Sequence, residues 1–263
     1  MNKTLPLLVS LLGMTASLSA QIVLTVDNDD WNKATWGPGP SAPTSGNDYL
    51  VDGANAANNT RVETPTFAGD SLTLTNAGLA LFKSSGSTNW ILDGGTLQHG
   101  TNGSPFTVGG DVDVVSASTI NLNNGDFVFS APLSGSGDLT IEENSGATSL
   151  TLNGGGTYSG LLDLDTTDVE ITFGTSLSNA SLLITGGSYN LTNNISLASF
   201  TADSVTLSPG TYNATDLTNA GISISSFTDN GGTLTVVPEP SSAILMLAGG
   251  GLLFAMGRRP RRG

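Results

Sequence analysis

The sequence predicts an all-β chain and, within that class, a right-handed parallel β-helix, on three observations. Short runs alternate apolar and polar residues, as in Ser71-Leu72-Thr73-Leu74-Thr75, Thr148-Ser149-Leu150-Thr151-Leu152 and Leu161-Leu162-Asp163-Leu164-Asp165. Such alternation turns one row of side chains inward and the next outward. Aromatic residues make up 6% and charged residues 11% of the chain, against 34 glycines, so few bulky side chains exist to fill one compact core, whereas thin stacked coils need few. A Gly-Gly-Thr tripeptide or a close variant recurs at Gly94-Gly95-Thr96, Gly155-Gly156-Thr157, Gly186-Gly187-Ser188, Pro209-Gly210-Thr211 and Gly231-Gly232-Thr233, each followed by Leu or Tyr. The last three lie 23 and 22 positions apart, a spacing in the solenoid range. A β-sandwich, single or in tandem, is the alternative that short strands and Gly-rich turns also describe.

Residues 1–20 have one charge, Lys3, an apolar stretch over 5–12 and a small-residue end at Ser17-Leu18-Ser19-Ala20, the layout of a secretory signal peptide. Cleavage between Ala20 and Gln21 leaves a body of residues 21–236. The chain has no cysteine, so packing and backbone hydrogen bonds must hold that body without disulfides or thiolate metal sites. At its start, Trp31, Trp36 and the turn Gly46-Asn47-Asp48-Tyr49 precede the regular strands and are expected to cap the first coil. The competing role for these aromatics is a platform whose exposed indoles stack on sugar rings.

Lys33, Arg61 and Lys83 are the only basic side chains between the leader and the terminal arginines, while the chain carries 22 acidic residues. Such a body repels nucleic acid and anionic lipid. Nucleic acid is therefore not an expected partner, and cations or a positively charged matrix are the electrostatic partners that remain.

No catalytic, cofactor or metal site is expected. His99, the single histidine, precedes Gly100 and is expected at a turn, where it has no second histidine to complete a metal site. Asp163, Asp165, Asp168 and Glu170 are the densest carboxylates, and a glycoside hydrolase needs two placed close together. Leu162 and Leu164 alternate with the first two, which should therefore face solvent. A lyase enlists Lys or Arg to neutralise its substrate's charge, and the second half of the body has neither. Asp27-Asn28-Asp29-Asp30 opens like a calcium loop, but Trp31 takes the next ligand position and no glycine stands at the sixth. Gly109-Gly110-Asp111-Val112-Asp113 lacks the nonapeptide array of calcium-binding β-rolls.

The C-terminal residues 237–263 run from Val237-Pro238-Glu239-Pro240 through an apolar stretch over 243–256 to Arg258, Arg259, Arg261 and Arg262. About 15 residues at 1.5 Å each reach ~22 Å, short of the ~30 Å hydrocarbon core, so a short transmembrane helix is expected. Gly249, Gly250 and Gly251 weaken it, and the arginines hold its end on the cytoplasmic side of the inner membrane as a basic stop signal.

This order of motif, apolar stretch and basic end resembles the PEP-CTERM sorting signal. The resemblance implies a Gram-negative bacterial protein, recognition through Pro238, Glu239 and Pro240, and processing by the membrane enzyme exosortase. It also implies a cell-surface or biofilm-matrix destination and an extracellular polysaccharide as partner. In the body, residues 131–140 and 150–160, which include Leu133-Ser134-Gly135-Ser136-Gly137 and Gly156-Thr157-Tyr158-Ser159-Gly160, resemble the autotransporter-associated β-strand repeat. That family forms β-helical passengers displayed at bacterial surfaces; here Leu161-Leu162-Asp163 replaces its Gly-Thr-Thr. The whole points to an exported, non-enzymatic structural or adhesive protein. A carbohydrate-active β-helix enzyme or a carbohydrate-binding module is the alternative.

Overall fold

Strands that alternate at period two bury their apolar row only when another layer covers it, and here each coil covers the next. The computed structural model describes residues 21–237 except 34, 39–40, 56–57, 101–102, 124, 146–148, 167–169, 174–176, 187, 192, 223–226 and 230. The expected leader and the tail from Pro238 onward, with its expected transmembrane helix, lie outside the described residues. Among the described residues no helix is long and apolar enough to cross a membrane.

In chain order the strands are β1 (Ile22–Val23), β2 (Asp29–Asp30), β3 (Asp48–Asp52), β4 (Asn59–Val62), β5 (Thr66–Thr75), β6 (Leu79–Phe82), β7 (Gly86–Asp93) and β8 (Thr96–His99). They continue as β9 (Gly103–Ser116), β10 (Ser118–Asn123), β11 (Gly125–Phe129), β12 (Leu133–Gly135), β13 (Leu139–Ser145), β14 (Ser149–Leu152), β15 (Leu161–Asp165) and β16 (Glu170–Phe173). The last are β17 (Leu177–Ile184), β18 (Ser188–Leu191), β19 (Ile195–Ala202), β20 (Val205–Thr206), β21 (Gly210–Tyr212), β22 (Phe227–Asp229) and β23 (Leu234–Val236), with the helix α1 (Ala214–Asn219) between β21 and β22.

Two long sheets run along the stack, one ordered β1-β3-β5-β7-β9-β11-β14-β16-β18-β22 and the other β2-β4-β6-β8-β10-β13-β15-β17-β19-β23-β21. The first bends around a corner. Residues Phe106, Thr107 and Val108 of β9 pair with β11, whereas Val112, Asp113 and Val114 of the same strand pair with β12. Each such coil therefore has three sides. Among the named strands every pairing is parallel except β19 with β20 and β21 with β23 at the C-terminal end. A β-sandwich is built on antiparallel pairs, so the alternative architecture does not describe this body.

Register makes the core a set of columns. In the second sheet Ala80, Leu97, Ile120, Ile141, Leu164, Ile184 and Ala202 stack one on another, each at most 2% exposed. In the first, Tyr49, Leu72, Trp90, Val112 and Leu133 form the facing column. Burying an aliphatic side chain of this size contributes ~1.5–3 kcal/mol, repeated at every rung. Successive members lie 17 to 23 positions apart, the same scale as the glycine spacing in the sequence.

The Gly-Gly-Thr corner assigns its two glycines different tasks. Gly94 takes φ +84°, while Gly95 lies so close to the preceding coil that a Cβ there would overlap the Leu74 side chain. At the bend of β9, Gly110 has φ +89° and would drive a Cβ into the Thr88 carbonyl oxygen. Tyr158, in the repeat-like segment, is fully buried, and its hydroxyl lies in donating position 2.8 Å from the carbonyl oxygens of both Gly137 and Leu161. Burial, helped by the Asp138 charge, pushes that phenol far above its ordinary value.

Both ends abandon the parallel ladder. Near the start, Leu24 and Ser41 each bridge Trp36 in antiparallel sense. Near the finish, β20 and β21 turn back, and α1 seats the fully buried Leu217. No helical period was expected before the tail; six residues are too few for one to show, and the signal was the capping box in which Asn213 and Asp216 bond each other's backbone N–H.

Ile141→Ala should lower stability by about 2–5 kcal/mol, and Thr140→Ala, on the outward side of the same strand, by less than about 0.5 kcal/mol. Equal losses in thermal unfolding would contradict the inward and outward assignment. Gly110→Ala should cost about 2 kcal/mol or more, since it combines a left-handed backbone with a steric overlap; an unchanged melting temperature would count against the bend as built.

Candidate functional site

The outer surface of the second sheet is where side chains not needed for packing accumulate. Alternation turns Asp163 and Asp165 outward from β15 while Leu162 and Leu164 are fully buried. Register places Asp163 between Thr140 and Leu183, and Glu142 opposite Asp165. The Thr185 hydroxyl donates to Asp165 Oδ1 at 3.3 Å, and the Asn121 amide donates to Glu142 Oε1 at 3.0 Å. Asp163 is half-buried, its Oδ1 has no hydrogen-bond partner, and desolvation followed by the Asp165 charge raises its carboxyl above the usual range.

These acids share one side of one sheet. Glu170 belongs to β16 in the other sheet, and Asp168 lies outside the described residues. The coil geometry thus separates Glu170 from Asp163 and Asp165. Asp163 and Asp165 project from the same strand in the same direction.

Other sequence candidates are absorbed by the fold. Asp27 Oδ1 accepts backbone N–H bonds from Asn58 (3.2 Å) and Asn59 (2.8 Å), Asp29 pairs with Lys33 at 2.8 Å, and buried Asp30 accepts from the Asn32 N–H. The Lys33 hydrogen bond holds the Asp29 carboxyl low, while burial raises that of Asp30. Among the described residues no three His, Cys, Asp or Glu side chains converge on a common point. His99 is not at a turn: it closes β8, points inward and stacks on Phe106 with ring centres 4.4 Å apart.

All three tryptophans are fully or almost fully buried. Trp31 packs on Phe67 and Trp90 at 5.2 and 5.5 Å, and Trp36 meets Tyr49 edge-on at 5.1 Å. Their indole N–H groups donate inward, Trp31 to Thr64 Oγ1, Trp36 to the Trp31 carbonyl and Trp90 to the Gly109 carbonyl. The platform of exposed indoles is therefore corrected: no indole face is free for a sugar ring, because the first coils use them as core.

What the outer surface does offer is a polar ladder. Thr96, Thr119 and Thr140 lie in register on successive coils, with Gln98, Asn121 and Glu142 beside them two residues on. Adjacent coils stand about 4.8 Å apart, so a row of hydroxyls and a row of two carboxamides and one carboxylate repeat at that spacing.

The body ends abruptly. β23 is flanked by β19 on one side and β21 on the other, Val236 is 3% exposed, and the Val237 N–H donates to the Leu197 carbonyl at 2.9 Å. Pro238 follows at once. At the opposite end Gln21, first after the expected leader cut, donates from its amide to Thr73 Oγ1 at 2.7 Å; Ala20, Pro238, Glu239, Pro240 and the four arginines lie outside the described residues.

Because the Asp163 carboxyl is raised in the folded chain, its stabilising contribution is fully present below the ordinary value of 3.8 and is lost as pH rises through the folded value. Asp163→Asn should therefore stabilise the body at pH 7 by on the order of 0.5 kcal/mol, with the advantage vanishing near pH 3. Thermal unfolding of both forms across that range checks the sign.

No curated protein and no solved structure matches the chain. Residues 236–262 match the model of the PEP-CTERM protein-sorting motif, beginning one residue before the expected tail boundary and inside β23. Since that motif is the address an exosortase processes, the chain is an exported protein, anchored transiently in a membrane before its release.

Proposed function

We propose that the released body is a non-enzymatic, structural or adhesive β-solenoid of the Gram-negative cell surface or biofilm matrix, and that its partner is an extracellular polysaccharide. The observation that carries this is the ladder of Thr96, Thr119 and Thr140 beside Gln98, Asn121 and Glu142. Evenly spaced hydroxyl, carboxamide and carboxylate groups can exchange hydrogen bonds with the hydroxyls of an extended sugar chain, each bond contributing ~0.5–1.5 kcal/mol net. Many weak contacts along a polymer add without requiring a deep pocket. The resemblance of residues 131–140 and 150–160 to the autotransporter-associated repeat, read from the sequence alone, would suit the same destination. The acidic body favours a neutral or cationic polymer over an anionic one.

A second function has one specific observation behind it. Asp163 is a carboxyl raised by burial and then by the charge of neighbouring Asp165, and paired acids with one raised carboxyl are what glycoside hydrolysis uses. Both acids stand side by side on an outward surface rather than across a groove, which supports binding over hydrolysis.

Co-sedimentation of the tailless body with polysaccharide from its producer should retain the protein, and Thr119→Ala combined with Asn121→Ala should weaken retention severalfold without lowering the unfolding free energy by more than about 1 kcal/mol. Failure to retain any such polymer would remove the adhesive function. Release of reducing ends that disappears in Asp163→Asn would favour the enzyme instead. Sorting is tested separately: Glu239→Ala should leave the tail uncut, and normal release of that variant would contradict the role given to the motif.

A further inference from the structure

The matched sorting segment begins at Val236, and Val236 belongs to the folded body. β23 is hydrogen-bonded along both edges, pairing parallel with β19 through Leu234, Thr235 and Val236 and antiparallel with β21 through the same three residues. Leu234 and Val236 point inward at 0% and 3% exposure, and the Val237 N–H is held by the Leu197 carbonyl. Only Val237 separates this strand from Pro238. An enzyme that processes a peptide segment engages it as an extended chain through backbone hydrogen bonds, and those of β23 are already taken.

We propose that β23 must leave the sheet before the tail can be removed, so that the closed C-terminal cap restrains release. This rests on the assignment of the tail to an exosortase. The strand on its outer side suits such an opening: β21 is three residues long, stands at the sheet edge and meets β23 through only Gly210–Val236, Thr211–Thr235 and Tyr212–Leu234. Short edge strands and chain ends open locally at lower free energy than interior rungs, which leaves the rest of the stack intact while β23 is exposed. Residues Leu234, Thr235 and Val236 thereby act as positioning residues for processing: their hold on the sheet sets how often the segment that begins at Val236 becomes available.

The absence of cysteine from the chain allows a clean lock. Thr211 and Thr235 are directly opposed, with their hydroxyl oxygens 3.1 Å apart, close enough for a cross-strand disulfide in Thr211→Cys with Thr235→Cys. In the full-length chain expressed in its producer, with the disulfide confirmed by a mobility shift on non-reducing gels, removal of the tail should slow at least about tenfold. Reduction, or the pair Thr211→Ser with Thr235→Ser, should restore the parent rate. Inserting Gly-Ser-Gly-Ser-Gly-Ser-Val-Val between Val237 and Pro238 should restore processing even with the lock closed, because a complete motif then stands clear of the sheet.

Removal of the tail from the locked chain at the parent rate would overturn the inference, as would a locked chain that the insertion fails to rescue. A parent chain that keeps its tail would instead overturn the exosortase assignment, and the two failures are told apart by that control.

Discussion

Backbone pairing between successive coils is the interaction on which everything else in this body depends. Each coil must present its N–H and C=O groups in register with the coil above and below, at a spacing of about 4.8 Å, or the stack loses both its hydrogen bonds and its dry interior. That requirement selects the residues. Inward columns accept only apolar side chains, corners accept glycine where φ is positive or where neighbouring backbones nearly touch, and outward positions are left free. The columns through Ile120, Ile141 and Leu164, and the close passage of Gly95 over Leu74, are two expressions of one constraint.

A ladder of this kind is satisfied everywhere except at its ends, where open strand edges would recruit further chains. The two ends solve the problem differently. The first coils pack the rings of Trp31, Trp36, Tyr49 and Phe67 against one another. The last coils reverse direction, covering β23 with the short antiparallel β21 and placing α1 nearby. The second solution is thinner, and it is also where the sorting segment departs.

The sequence made the repeating part of this architecture legible because period-two alternation and glycine spacing are direct images of coil geometry. Leu162 and Leu164 alone placed Asp163 and Asp165 on the outer side of β15, but only Asp165 is exposed there, while Asp163 is half-buried and its Oδ1 is shielded from solvent. Position along a coil was less visible: His99 stands next to a glycine, which suggested a turn, yet Phe82 of the preceding coil lies in register with it and the neighbouring side carries Phe106. Such placement depends on residues 17 positions before and seven after, brought together only by closure of the coil. The separation of Glu170 from Asp165 has the same origin, since β15 and β16 belong to different sheets. The aromatics near the start were readable as cap or as sugar platform because composition does not reveal which way a ring faces. Nothing local in Leu234-Thr235-Val236 announced that the sorting segment begins inside a sheet; that follows from pairings with β19 and β21, almost 40 and more than 20 residues away respectively.

The crowding of all three tryptophans into residues 31–90 leaves the remaining coils without an indole, while three of the four tyrosines, Tyr158, Tyr189 and Tyr212, fall in the later part of the chain. The body is in effect labelled at its two ends with different chromophores. Tryptophan emission reports the integrity of the first coils and is blind to the last, whereas tyrosine absorbance follows the later coils with only Tyr49 as an early contributor. Two optical signals recorded on the same unaltered sample thus separate fraying of one end from loss of the whole.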